Sequence, residues 1–327
     1  MEQKMMNAAL IREIPGDAVL GEIAAPMRKA GQVLIEVRAA SLNPLDLLVA
    51  SGKFYLGHPP VPYVPGLEGA GAVLEGSHLQ PGTRVRFECG VLSPYGSLAP
   101  LAVVDENAVI PVPENAPDDL VASLGIAGMA GWLSVEWRAR LSKGERVAVL
   151  GATGVVGQIA VQAARLLGAG RIVAVGRNPR TLRKIQDLGA DASVELDQGS
   201  DSKLGEALKE AAGGPIDVVI DTLWGNPVSG AIMAMASGGR LVNIGQSADP
   251  VLSLPSSALR GKMLSLLGYS NLLVPLEEQH NGFHTILEHA VKGNLKVNRQ
   301  VSPLTQASQV WRSQRNSPNQ KLVVIPS

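Results

Sequence analysis

The sequence RVAVLGATGVVGQIAVQAARLLGAGRIVAVGR at residues 146–177 decides the fold of this chain. It opens with an uninterrupted apolar run, residues 147–150, which is typical of a parallel strand buried on both faces. Glycines follow at positions 151, 154 and 157, and apolar residues then recur at helical spacing up to Gly168. A second apolar strand covers residues 171–175. The order of strand, glycine turn, helix and strand predicts one half of a nucleotide-binding fold.

The glycine turn predicts a phosphate site. Residues without a Cβ let backbone N–H groups approach a pyrophosphate, and Gly157 lets the helix pack closely on the strand. The N-terminus of the helix adds its positive dipole. Ala152 stands where the strict GxGxxG pattern has its first glycine, so the turn is a variant, and a structural crossover without a ligand is the alternative interpretation. The expected contacts to the cofactor are Ala152, Thr153, Gly154, Val155 and Val156.

The end of the second strand indicates which dinucleotide binds. Where an acidic residue would hold the adenosine ribose of NAD, this chain has Gly176 followed by Arg177. Glycine and arginine leave space and positive charge for a 2′-phosphate, so NADPH is the predicted cofactor. Asn178 and Arg180 belong to the turn that follows, and both are expected to contact the cofactor. The alternative is that Arg177 is a solvated surface residue.

Length, charge and cysteine content indicate a cytoplasmic enzyme. A chain of 327 residues is long enough for two domains, and its 29 Lys and Arg residues balance 29 Asp and Glu residues. We therefore expect no nucleic-acid partner and no membrane. The one cysteine, Cys89, excludes an intramolecular disulfide and suits a reducing compartment. The N-terminus lacks the pattern of a signal peptide, and the longest uncharged apolar stretch, residues 120–135, is too short for a bilayer span.

The pattern of elements changes near residue 117. Before it, short β-rich segments lie between Gly and Pro turns, which predicts a small irregular barrel. After it, strands and helices alternate, which predicts an α/β domain with about six parallel strands and helices on both faces. The tail has a predicted helix at residues 284–292 and two strand-like segments, VNRQVSPL and KLVVIP, that should return to the first domain. The predicted domains are residues 1–117 with 278–327, and residues 118–277.

Five segments of the chain carry a family resemblance. They are SLNPLDLLVASGKF (41–54), PYVPGLEGAGAV (62–73), GATGVVG (151–157), DVVIDTLWG (217–225) and GGRLVNIG (238–245). With these motifs in this order, the chain resembles the zinc-independent medium-chain dehydrogenases/reductases, in particular the quinone oxidoreductases. The resemblance implies a GroES-like catalytic domain, an inserted Rossmann domain that binds NADPH, and a homodimer formed near residues 264–267. Gly245, Gln246 and Ser247 complete the expected cofactor contacts.

The residue chemistry argues against zinc. Zinc-bearing relatives have a histidine where this chain has Leu67, and a cysteine near the equivalent of residues 41–46, where this chain has neither thiol nor imidazole. Leucine cannot coordinate a metal, and Cys89 alone cannot build a four-thiolate site. His280 and His284 are spaced by one helical turn without the glutamate of a zinc protease, so we interpret them as part of a solvated helix face. No metal site is predicted.

Without a Lewis acid, the substrate itself must be electrophilic. Quinones and α,β-unsaturated carbonyls accept hydride at carbon and leave an enolate-like oxygen that a hydrogen-bond donor stabilises. The resemblance places Asn43, Pro44 and Asp46 beside the nicotinamide and the substrate. Asn43 is therefore the first catalytic candidate, although it also suits the N-cap of a helix that begins at Pro44. Asp46 and Glu68 are interpreted as structural.

The second catalytic candidate is Tyr55. Several quinone reductases have tyrosines where this chain has Leu48 and near the position of Phe54, so neither phenol can be assumed here. Tyr55 and Tyr63 lie close in sequence and could replace them as donors, and packing at the rim of the site is the alternative.

The predicted activity is transfer of hydride from NADPH to a quinone or an enone without zinc. A zinc-free carbonyl or alcohol oxidoreductase stays open, because the fold also permits hydride transfer to a carbonyl carbon. A non-catalytic NADPH-binding protein stays open as well, since fold alone does not decide function.

Overall fold

The computed structural model of the protein describes residues 4–196 and 201–326. The strands are β1 (Met5–Leu10), β2 (Val19–Ala24), β3 (Gln32–Leu42), β4 (Glu68–Glu75), β5 (Arg84–Glu88), β6 (Leu101–Asp105), β7 (Val109–Pro111), β8 (Arg146–Leu150), β9 (Arg171–Gly176), β10 (Ala192–Glu195), β11 (Ile216–Asp221), β12 (Met235–Asn243), β13 (Ser265–Gly268), β14 (Arg299–Pro303) and β15 (Lys321–Ile325). The α-helices are α1 (Pro44–Ala50), α2 (Asp118–Leu124), α3 (Ile126–Leu133), α4 (Val155–Leu166), α5 (Pro179–Gln186), α6 (Asp201–Ala212), α7 (Asn226–Ala234), α8 (Ser256–Arg260), α9 (Leu276–Val291) and α10 (Ala307–Arg315).

The chain divides into two compact units. The first runs up to Ile126 and resumes at Leu287–Val291 and from Val297 onward, and the second comprises Ala127–Ile286 and Lys292–Lys296. The first boundary therefore lies after Ile126, whereas the sequence suggested residue 117. The reason is that α2 packs on β3, β4 and β15 of the first unit, so this helix belongs with the barrel strands.

The first unit is built on a mostly antiparallel sheet, in which, of the strands described, only β14 and β15 pair parallel. Its strand order is β14-β15-β3-β4-β5-β7, with β6 also paired to β3, and β1 and β2 form a separate two-stranded sheet. The C-terminal strand β15 returns to this unit and pairs antiparallel with β3, as the sequence predicted. Apolar side chains such as Phe87, Leu322 and Trp311 fill the core. The GroES-like fold expected for this part of the chain is confirmed.

The second unit contains a six-stranded parallel sheet with the order β10-β9-β8-β11-β12-β13. The predicted Rossmann-type parallel sheet is thereby confirmed. Strand β12 begins at Met235, which pairs with Ile216 of β11. Regular pairing with β11 starts after a register shift, at Val218 and Arg240.

The helices begin and end where local chemistry favours it. Helix α1 begins at Pro44 after Asn43 at the N-cap position, and it ends before Gly52, whose φ is +72°. Helix α9 begins well before the predicted residue 284, because Glu277 and Glu278 in its first turn complement the helix dipole.

Among the described residues, no single helix has the length and apolar composition needed to cross a membrane. The bent pair Asp118–Leu124 and Ile126–Arg138 meets that requirement only when its two parts are taken together, and by length and composition alone.

Candidate active site

The glycine turn after β8 forms an open cradle at the start of α4. Gly151 has a φ of +79°, a conformation that favours glycine, and Gly154 is the N-cap residue of the helix. No side chain caps this helix end. The first N–H groups of α4 therefore have no side-chain oxygen in the position that a phosphate oxygen would take.

Two glycines of the turn are needed for different reasons. A Cβ at Gly157 would lie 2.7 Å from the Cα of Ala152, so only glycine allows the helix to approach the strand this closely. A Cβ at Gly154 would meet nothing nearer than the Gly151 carbonyl oxygen at 3.5 Å. The space over Gly154 is thus open, as a pyrophosphate requires.

The topology places this cradle where nucleotides bind. From β8 the chain runs outward to β9 and β10, and it then returns to the other side of β8 for β11, β12 and β13. The carboxyl end of β8 is therefore the switch point of the sheet, the position at which open parallel sheets bind dinucleotides. Of the expected contacts there, Ala152 is buried, whereas Thr153, Gly154, Val155 and Val156 are partly exposed.

The predicted 2′-phosphate residues lie together at the end of β9. Gly176 is the last residue of the strand and is buried, and Arg177, Asn178 and Arg180 follow it on the exposed surface. The Asn178 side-chain oxygen accepts hydrogen bonds from the backbone N–H of Arg180 at 3.0 Å and of Thr181 at 3.2 Å. Asn178 therefore caps α5 and fixes the turn from which the two arginines extend.

The loop after β12 is fixed to the end of β11. Ser247 donates from both its backbone N–H and its hydroxyl to the Thr222 carbonyl, at 3.2 and 3.0 Å. Gly245 accepts a hydrogen bond from the Asn243 amide at 2.7 Å. Gln246 is exposed. The three expected contacts therefore lie at the same carboxyl edge of the sheet as the glycine turn.

Asp221 holds this edge together, and it was not among the residues predicted from the sequence. Its carboxylate accepts hydrogen bonds from the Asn243 side chain at 2.8 Å and from the backbone N–H of Leu223 at 2.8 Å and of Trp224 at 3.1 Å. Burial raises the pKa of Asp221, and these hydrogen bonds partly offset the rise. The position directly after an apolar strand was the available signal.

In the first unit, Asn43 belongs to a buried polar cluster around Glu68. The Glu68 Oε1 atom accepts from the Ser41 hydroxyl at 2.7 Å, the Asn43 amide at 2.8 Å and the Lys321 ammonium at 2.9 Å. The other oxygen, Oε2, accepts from the Ile126 backbone N–H at 2.5 Å. We call Ser41, Asn43, Glu68 and Lys321 the Glu68 cluster.

The charges of the Glu68 cluster balance one another. Lys321 Nζ lies 2.5 Å from Asn43 Oδ1 as well as 2.9 Å from Glu68, and both charged side chains are almost fully buried. Burial alone would raise the pKa of Glu68, but Lys321, Arg86 and Asn43 outweigh it, so this pKa lies below its usual range. A buried carboxylate therefore stays ionised because a buried cation faces it.

Lys321 is a second residue, after Asp221, that was not predicted from the sequence. The segment KLVVIP was expected to form a strand of the first domain, but a lysine at a strand end usually points to solvent. The strand register explains its burial. Leu322 pairs with Leu42, and Ser41 pairs with Glu68, so β15 and β4 flank the end of β3 and bring their first residues together.

Asp46 borders a pocket on the same unit. Its Oδ2 accepts a hydrogen bond from the Asn43 backbone N–H at 2.7 Å, which closes the start of α1. Burial raises the pKa of Asp46 to about 7 despite that bond. Asp46, Tyr63, Leu67 and Cys89 contribute to the lining of a small pocket. Burial also raises the pKa values of Tyr63 and Cys89.

Tyr55 lies apart from the Glu68 cluster. Its side chain is 75 % exposed, and its ring packs against the buried ring of Phe54 with 4.5 Å between centroids. The structure thus gives the two catalytic candidates different settings. Asn43 is fixed inside a network, whereas the Tyr55 hydroxyl extends from the surface of the first unit.

Within residues 4–196 and 201–326, no three His, Cys, Asp or Glu side chains are grouped so that they could hold a metal ion. Leu67 lies beside Asp46 in the pocket. The side chain at position 67 is therefore apolar where a ligand would be needed.

Comparison with known proteins agrees with both units. The family described as "Alcohol dehydrogenase GroES-like domain" matches residues 29–114, and the family described as "Zinc-binding dehydrogenase" matches residues 155–278. Quinone oxidoreductase-like protein 2 of Mus musculus is 30 % identical over 267 residues, which cover 80 % of this chain and 74 % of that protein. Quinone oxidoreductase of Rattus norvegicus is 29 % identical over 317 residues, which cover 94 % of this chain and 93 % of that protein.

Solved structures agree in fold. A mycobacterial quinone oxidoreductase superposes with a TM-score of 0.87 at 20 % sequence identity, and the match covers 98 % of this chain and 100 % of that one. The family matches and the quinone oxidoreductase relatives support a general oxidoreductase, and the family implies a nicotinamide cofactor. The chain belongs to the medium-chain dehydrogenase/reductase superfamily.

Proposed function

We propose that this protein is an NADPH-dependent, zinc-independent reductase of quinones or α,β-unsaturated carbonyls. The observation that supports the proposal is the set of side chains at and next to the Glu68 cluster of the first unit. Position 67 is leucine, and Asn43 is engaged by Glu68 and Lys321. These side chains offer no ligand set for a Lewis acid, so the substrate must be electrophilic without one.

The cofactor half of the proposal rests on the end of β9. The open cradle over Gly154 would take the pyrophosphate, and Gly176 removes the acid that would repel a 2′-phosphate. Arg177 and Arg180 are exposed on either side of the turn that Asn178 caps. One guanidinium group can bind two phosphate oxygens at once. Arg177 and Arg180 therefore supply the positive charge that favours NADPH over NADH.

The bound nicotinamide supplies the hydride, and the chain's residues hold the reacting groups and stabilise charge. Asn43 Oδ1 accepts from Lys321, and one Nδ2 hydrogen is donated to Glu68, which fixes the plane of the amide. In the proposed mechanism, the second Nδ2 hydrogen of Asn43 is donated to the developing enolate or phenolate oxygen. The exposed hydroxyl of Tyr55 is the second proposed donor.

The chemical test uses three substrates in parallel. The purified protein should oxidise NADPH with a quinone and with an enone, more slowly with an aldehyde, and the rates should survive incubation with a chelator. Elemental analysis should find no stoichiometric zinc. About one tightly bound zinc per chain that is lost together with activity would contradict the zinc-independent part, and a preference for the aldehyde would favour a carbonyl reductase. Oxidation of NADPH with none of the three would favour a non-catalytic binding protein.

We also propose a cytoplasmic homodimer. Strand β13 is the last strand in the order of the second sheet, and exposed apolar side chains lie on either side of it, at Met263 and Leu273. Pairing of two such edges would satisfy the open backbone groups of both. Light scattering should give twice the chain mass, and Leu273→Asp should reduce it to the mass of one chain. The single buried cysteine suits a reducing compartment.

A further inference from the structure

Gly176 is not required by its backbone conformation. It ends a regular strand and does not have a positive φ, so an L-residue could adopt its backbone geometry without strain. Space is the limiting factor instead. A Cβ placed on Gly176 would lie 2.8 Å from Thr153 Cγ2 and 3.3 Å from Leu182 Cδ2. Any side chain at position 176 must therefore displace one of its neighbours.

Neither neighbour moves easily. Thr153 is β-branched, and such side chains have few χ1 rotamers. Its carbonyl oxygen accepts a hydrogen bond at 2.8 Å from the amide of Gln158, a buried residue of α4. Leu182 is 2 % exposed and packs in the body of α5. The methyl group of Thr153 is the closer contact, and it belongs to the glycine turn itself.

Thr153 restricts position 176, which is the position that contacts the adenosine ribose in dinucleotide folds. In dinucleotide folds an acid at the end of the second strand binds the 2′-hydroxyl of NAD. We infer that Thr153 is a specificity-determining residue, because its methyl group keeps position 176 at glycine and so excludes that acid. The inference rests on the proposed NADPH function. It predicts that residues 153 and 176 must change together before an acid at position 176 can bind the 2′-hydroxyl of NADH.

The packing part is tested on the protein without cofactor. Gly176→Ala should lower the thermal midpoint by at least about 3 °C, because it overpacks a buried contact. In a Thr153→Ser background the same change should lower the midpoint by less than half as much. Serine removes the methyl group and leaves the hydroxyl oxygen, which lies at an ordinary 3.4 Å from the added Cβ. Equal losses in the two backgrounds would overturn the inference.

The specificity part is tested by nucleotide binding, measured with the fluorescence of NADH and NADPH. Thr153→Ser/Gly176→Asp should bind NADH at least about 10-fold more tightly than Gly176→Asp alone. Thr153→Ser alone is the matched control and should not raise NADH affinity to that extent. Equal NADH affinity of Gly176→Asp with and without Thr153→Ser would refute the role of Thr153. A wild-type preference for NADH would instead contradict the proposed function, and the stability comparison would still decide whether the two residues compete for space.

Discussion

The two polar centres of this protein are built in different ways. In the second unit the cradle comes from seven consecutive residues, Gly151 to Gly157, and its chemistry is that of the backbone. In the first unit the Glu68 cluster comes from strands β3, β4 and β15 and from the N-cap of α1, with Lys321 more than 250 residues from Glu68. The comparison shows that a cofactor site can be a local property of the sequence, whereas a buried ion pair depends on the register of a whole sheet.

The largest effect should come from breaking the buried ion pair. Lys321→Met would leave the Glu68 carboxylate buried without the cation that hydrogen-bonds to it, which costs about 3 to 5 kcal/mol of unfolding free energy. Urea titrations followed by circular dichroism measure this loss. The matched control, Lys53→Met at an exposed position, should change stability by less than about 0.5 kcal/mol.

A double variant separates charge burial from general disruption. Glu68→Gln/Lys321→Met leaves no buried charge at the pair and should recover part of the lost free energy. If the single variant loses less than about 1 kcal/mol, or the double variant loses more than the single one, the cluster does not depend on charge pairing as described.

The second prediction concerns Asp46, whose pKa shifts in the opposite direction to that of Glu68. Its folded pKa, about 7, lies above its ordinary value of 3.8, so the folded state holds the proton more tightly. Stability from this group is therefore complete below about pH 4 and is lost as the pH rises to 7, at up to about 1.4 kcal/mol per pH unit. Asp46→Asn removes the titration and keeps an oxygen for the Asn43 N–H.

The measurement is the difference in unfolding free energy between Asp46→Asn and wild type across pH 4 to 8. The unfolding free energy of the variant minus that of the wild type should increase up to about pH 7 and then level off. A flat difference for Asp46→Asn would mean that Asp46 is ionised throughout. Glu68, whose pKa is lowered, contributes its own stability loss only at lower pH.

The third prediction compares two glycines of the cradle. Gly157→Ala should lower the unfolding free energy by about 1 to 3 kcal/mol, because the new Cβ meets a backbone atom that cannot move aside. Gly154→Ala has room for a Cβ and a φ of −74°, so its stability should change by less than about 0.5 kcal/mol. Its nucleotide affinity should fall at least about 10-fold, because the methyl group enters the phosphate space. If Gly154→Ala binds nucleotide normally, the cradle does not hold the pyrophosphate.

The sequence predicted the local features of this molecule well. The glycine turn, the parallel sheet and the helix that begins at Pro44 all follow from residues within a few positions of one another. The return of the segment KLVVIP to the first unit was also predicted. The lysine at its start was missed, because its burial follows from the pairing of Leu322 with Leu42, which no local pattern encodes. Glu68 was interpreted as structural, and its partners could not be named from the sequence for the same reason.

The role of Gly176 in the second unit was predicted only in part. From the sequence, Gly176 was interpreted only as the absence of a negatively charged side chain. The structure adds that a side chain at position 176 has no room, because its Cβ would collide with the methyl group of Thr153. Thr153 is 23 positions away in sequence, but the glycine turn after β8 brings it next to the end of the neighbouring strand β9. The local sequence therefore shows which residue occupies a site, and long-range packing decides which other residue types could replace it.

The smallest predicted effect tests the charge part of cofactor choice. Arg177→Ala should raise the Michaelis constant for NADPH and leave that for NADH nearly unchanged, because the lost guanidinium contacts only the 2′-phosphate. A charge-assisted hydrogen bond contributes about 1.5 to 3 kcal/mol. Since Arg177 is exposed, we expect the lower end, a change of about 10-fold in the ratio of kcat/KM for the two cofactors. Arg183→Ala, an exposed change in the last turn of α5, is the matched control. If wild type prefers NADH, or if both variants move the ratio equally, Arg177 acts only as a surface residue and the second strand does not select NADPH.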